Sequence, residues 1–73
     1  MNHYLTAIIH REGEGYVGLC PELDIASQGE SIEETRDNLR EAVQLFFESA
    51  SPQEIERITY REMYVTGLEV TVG

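Results

Sequence analysis

From His3 to His10 the residues Leu5, Ala7 and Ile9 alternate with Tyr4, Thr6 and Ile8, the period of two expected of a strand with one face on a core. Arg11-Glu12-Gly13-Glu14-Gly15 interrupts the run, and two glycines among charges predict a hairpin loop. The extended pattern resumes from Tyr16 to Cys20, with Val17 and Leu19 on one side, and a third short strand fits Asp24 to Gln28. These three strands are expected to form an antiparallel meander. After Ser31 the period changes. Ile32, Thr35, Leu39, Ala42, Val43, Phe46 and Ala50 recur at helical spacing, with Glu33, Asp37, Arg40, Glu41 and Gln44 elsewhere on the wheel, so an amphipathic helix of about five turns is predicted. A short helix carrying Ile55 and Ile58 follows. From Tyr60 to Val72 the alternation returns, with Tyr64, Thr66, Leu68, Val70 and Val72 on one face and Gly67 at a bulge position. The order βββα, short helix, β describes an α+β domain with a helix covering one face of a sheet.

The boundaries are marked by local chemistry. Ser31 is placed to accept from the amide three residues on while Glu34 reaches back, a reciprocal capping box that starts the main helix at about Ser31. Glu30, Glu33 and Glu34 suit the positive end of its dipole. Gly29 is expected to take a turn with positive φ. Pro21 has no amide and biases Cys20 toward extended geometry, which suits a strand end. Ser51, Pro52 and Glu54 repeat the cap signal for the short helix.

Length and charge narrow the function classes. Seventy-three residues make one domain, 1–73, without linker or repeat. A domain of this size buries only about 60% of its unfolded surface, so a homodimer or higher homo-oligomer is expected. Cys20 is the sole cysteine, which excludes a disulfide framework, and no apolar stretch is long enough for a membrane span or signal peptide. A cytoplasmic protein without membrane association is the expectation. Fourteen acids against five arginines give a net charge of −9, which opposes approach to phosphate backbones. An acidic folded domain suits a basic partner, although the same charge also serves solubility.

Three stretches carry a resemblance to a known family. Gly15-Tyr16-Val17 leads into Cys20-Pro21-Glu22-Leu23, then Ser27-Gln28-Gly29-Glu30-Ser31-Ile32-Glu33-Glu34 follows, and Asn38-Leu39-Arg40-Glu41-Ala42 continues the helix. In this order they resemble the HicB-like antitoxins of bacterial toxin–antitoxin systems, over nearly the whole chain. The resemblance implies a partial ribonuclease H-like fold with sheet order 3-2-1-4, nuclease chemistry lost, and binding to a small basic HicA-type mRNA-cleaving toxin. The residues agree on the loss of chemistry, because a two-metal nuclease needs converging carboxylates and His3 through His10 contains none. Many family members add a C-terminal DNA-binding module. Here the chain reaches Gly73 in or just past a strand, so no such module and no DNA binding are expected. Thr35 stands where the family more often has Ala.

His3 and His10 fall on opposite faces of a regular strand and cannot chelate one metal within a monomer. Nothing basic flanks Cys20, so a buried, inert thiol is the better description than a nucleophile. No catalytic residue, cofactor site or metal site is expected, and the chain is read as a non-enzymatic binder. Glu33, Asp37 and Glu41, with Glu34, form an acidic surface suited to a basic toxin, although such residues more often form a solvated face with weak pairs to Arg36 and Arg40. Phe47 cannot share the direction of Phe46, so either a second side of the helix is covered or Phe47 reaches a neighbouring subunit. The partner-binding candidates are therefore Glu33, Asp37, Glu41 and Phe47. The alternative reading is a stand-alone homo-oligomeric regulatory or small-ligand-binding protein without a toxin.

Overall fold

A computed structural model describes residues 3–59 and 63–73. It is an α+β domain: β1 (Ile8–Glu12), β2 (Gly15–Cys20), β3 (Ile25–Gly29), α1 (Ile32–Ser49) and α2 (Pro52–Thr59) follow in that order. The strands form an antiparallel sheet ordered β1-β2-β3, with Ile9 opposite Gly18 and Gly18 opposite Ser27. The meander expected from the alternation is present.

The first strand begins later and ends later than the periodicity suggests. Pro21 ends β2, and the Cys20 carbonyl accepts the Leu23 amide across a turn that carries Pro21 at its second position. Residues 3–7 therefore have no β2 backbone to pair with, and the Thr6 amide donates to the Glu22 carboxylate at 2.9 Å instead. At the other end the hairpin loop is only Gly13-Glu14. Gly13 takes φ 63 in the first loop position, as a type II′ turn requires, so Arg11 and Glu12 stay in the ladder. β1 thus contains one acid, the exposed Glu12.

Ser31 caps α1 by accepting from the Glu34 amide at 3.0 Å, which is the serine half of the expected capping box. The second cap is reciprocal: the Glu54 amide donates to Ser51 Oγ at 3.2 Å, and the Ser51 amide donates to Glu54 Oε1 at 3.3 Å. Ser31→Ala is expected to lower stability by about 1 kcal/mol in a denaturant melt, with Glu33→Ala costing much less. Equal midpoints for the two variants would show that the cap is not what sets the start of α1.

Gly29 acts differently from the expectation. It has no positive φ; a Cβ built on it would lie 2.7 Å from the Thr35 amide nitrogen and 2.8 Å from Thr35 Oγ1. Its missing side chain is what allows the first turn of α1 to lie against the end of β3. Gly18 opens the same interface further along, where a Cβ would meet Thr35 Cγ2 at 3.0 Å. The left-handed residue of this region is Asp24, at φ 56, just before β3.

The core is small. Cys20, Leu39 and Thr35 are buried, with Gly18 beneath them, and Ile9, Ile25, Val43 and Phe46 are half-buried around them. Thr35 is satisfied by donating from Oγ1 to the Ser31 carbonyl at 2.7 Å. Asn38 ties α1 to the sheet by donating to the Gln28 carbonyl at 2.8 Å. The helix lies over β3 and β2 and only grazes β1, so the helix-facing side of the β1 edge is left largely uncovered. Val17 and Leu19, which pair with His10 and Ile8, face away from α1.

Residues 63–73, expected to form the fourth strand, lie outside the sheet. The part of that expected strand at 60–62 lies outside the described residues.

Candidate functional site

The candidate residues of α1 divide between two faces. Glu33, Asp37 and Glu41 are four apart, which on a helix of 100° per residue makes one slowly turning stripe. All three are exposed. Asp37 has a cation nearby, Arg40 Nη1 at 3.8 Å from its Oδ1, with both side chains well exposed, a pair that contributes little to stability. The stripe is therefore an acidic strip facing water.

Phe47 lies on another side of the helix, half-buried. His3 stacks on it with ring centroids 4.6 Å apart and planes 9° from parallel, and Phe46 meets it edge-on at 5.5 Å. The second side of the helix is thus covered by the chain's own N-terminal segment. His10 sits far along the sheet, exposed, with Nε2 3.5 Å from Glu12 Oε2.

A groove runs between the N-terminal segment and α1, where β1 is uncovered. Its cavity volume is about 250 Å³; Leu5, Ala7, Leu39 and Val43 line it, and Arg36 and Arg40 stand at its rim. A larger hollow of about 720 Å³, which shares His3, Leu5, Arg40 and Val43, continues it toward Phe47 and Ile55.

Cys20 opens onto the same groove from below and is closed by Glu22. Its Sγ lies 3.6 Å from Glu22 Oε1, to which it donates, and burial, followed by the nearby Glu22 charge, raises its pKa above the ordinary 9.0. A neutral, buried thiol is a poor nucleophile, in keeping with the expectation of an inert side chain. For Glu22, partial burial pushes the carboxyl upward, but hydrogen bonds from Thr6, the backbone and Cys20 outweigh it and bring the pKa below 4.5. The two partners of this clamp, Thr6 and Glu22, are sixteen residues apart in sequence, and no local pattern joins them. A folded-state pKa below the unfolded one stabilises above about pH 4.5, and that contribution disappears as pH falls through the folded value. Glu22→Gln should accordingly be less stable than the parent chain at neutral pH, with the difference shrinking below about pH 4.5. Urea midpoints of both chains from pH 7 to pH 3 check this, and a gap that widens in acid would contradict it.

Among the described residues no group of three His, Cys, Asp or Glu side chains could hold a metal ion, and no helix is long and apolar enough to cross a membrane. No family model matches the chain, and neither does any curated protein or solved structure.

Proposed function

We propose that this chain is a non-enzymatic, HicB-like antitoxin domain that binds and neutralises a small basic HicA-type RNA-cleaving toxin. The observation that carries the reading is the strip Glu33, Asp37 and Glu41, presented to solvent along one side of the longest helix in a chain of net charge −9. Such a strip attracts a cationic partner at long range and sets its orientation on approach. The sequence resemblance supplies the identity of that partner. In the same reading the sheet is completed to the ribonuclease H-like order 3-2-1-4 by a strand added beside β1. The uncovered edge of β1 supports that placement. Duplex DNA is not a partner of the chain alone, since its net charge repels phosphates.

The reading is tested by seeking a gene for a basic HicA-type protein beside that of this chain, mixing the two proteins and following association by stopped flow at several ionic strengths. The wild-type chain should associate fast at low salt and more slowly as salt rises. Reversing Glu33, Asp37 and Glu41 to lysine should slow association and flatten that salt dependence, with the fold intact because exposed acids contribute little to stability. Absence of any complex would overturn the reading; an unchanged rate in the reversed chain would overturn the choice of face.

A further inference from the structure

Residues 63–73 have the sequence of a buried strand and the surroundings of none. Tyr64 is 83% exposed, Leu68 87% and Val72 89%, and Val65 and Val70 are about two-thirds exposed. Tyr64, Thr66, Leu68, Val70 and Val72 share one side of an extended chain, so the alternation that ordinarily marks a core-facing strand faces water.

The size of the mismatch is measurable. A compact chain of 8.3 kDa exposes about 4,600 Å², whereas this one exposes 6196 Å², roughly 1,600 Å² in excess. Its radius of gyration is 14.5 Å against about 11 Å for a compact domain of this length, and its longest dimension is 49 Å. The unpartnered arm accounts for this shape. A receiving site of matching character exists on the same fold: β1 is an edge strand, α1 leaves its helix-facing side open, and the groove there is walled by Leu5, Ala7, Leu39 and Val43.

We infer that two copies of the chain exchange arms. Residues 63–73 of each copy lie along the β1 edge of the other, with Leu68 and its same-side neighbours over the apolar groove. Eleven residues in strand conformation reach about 36 Å, enough to run the length of β1 and the segment before it. Because donor and acceptor both occur in every copy, the exchange closes on itself as a two-fold dimer and leaves neither arm nor β1 edge unpaired. Removing the excess surface of both copies would bury about 3,200 Å², within the range of obligate dimers. The arm on its own chain is an exposed apolar strand, the arrangement that invites uncontrolled strand pairing; exchange disposes of it.

Light scattering on the isolated chain tests the exchange without any toxin, so its outcome is independent of the antitoxin reading. The full chain at micromolar concentration should show twice the mass of 8.3 kDa. Leu68→Glu with Val70→Glu, at positions 87% and 67% exposed on the single chain, should return it to the single-chain mass with an unchanged far-UV circular dichroism spectrum. Amide exchange supplies the second reading: residues 65–72 and the β1 edge should be protected in the parent chain and lose that protection together in the double variant. A parent chain that stays at 8.3 kDa overturns the inference, with protected arm amides pointing to docking within one chain. A dimer that survives the double substitution overturns it too, by placing the interface elsewhere.

Discussion

Gly29→Ala should destabilise the domain by about 3 kcal/mol, a large share of what a domain this small has to lose. The added Cβ would sit 2.7 Å from the Thr35 nitrogen and 3.1 Å from the Glu34 carbonyl carbon, both backbone atoms of the first turn of α1. A flexible side chain could step aside; a helix start cannot without pulling Thr35 off the sheet and loosening the Ser31 cap. Gly13→Ala provides the contrast. There no atom lies within 4 Å, and only the left-handed φ of 63 opposes the change, worth about 1 kcal/mol. Urea melts of both variants compare the two mechanisms, and equal losses would mean that close approach at Gly29 is not what matters.

Leu39→Ala is expected to cost about 2–5 kcal/mol, and at the upper end to leave the chain unfolded at room temperature. Leu39 is 3% exposed and is the largest apolar side chain in the buried core, so its removal leaves a void between α1 and β2. Ile32→Ala, at the same helix but 55% exposed, should change the melting midpoint far less. A loss at Leu39 no greater than that at Ile32 would contradict the assignment of the core.

These two positions were not equally legible. The period of Thr35, Leu39 and Val43 put Leu39 on the inner face of a helix, because helical burial repeats within a few residues and needs no knowledge of the partner. Both caps were legible for the same reason: the cap hydrogen bonds close within a four-residue window. A glycine two positions before a cap ordinarily marks a turn, whereas the role of Gly29 is set by how closely α1 approaches β3, a tertiary distance. The start of β1 depended on where β2 stops at Pro21, ten residues or more along the chain. The cover over Phe47 comes from His3, at the other end of the sequence. For residues 63–73 the alternation was plain, but which edge they join is a question about a surface that the segment itself does not encode.

The candidate site shows the same division. That Glu33, Asp37 and Glu41 share an exposed stripe follows from spacing alone. Phe47, grouped with them as a contact residue, is turned to a different side of α1 and engaged by His3, so it and the acidic strip belong to separate surfaces. The groove beneath Arg36 and Arg40 was hidden from the sequence because it arises from the offset of α1 toward β3.

Titrating this chain into a fixed amount of a basic HicA-type protein found from a neighbouring gene, with RNA cleavage measured at each step, decides whether the chain neutralises a toxin by binding. Cleavage should fall linearly and stop at a fixed stoichiometric ratio, while this chain alone leaves the RNA intact. Undiminished cleavage at a molar excess of the chain, or cleavage by the chain alone, would contradict the account.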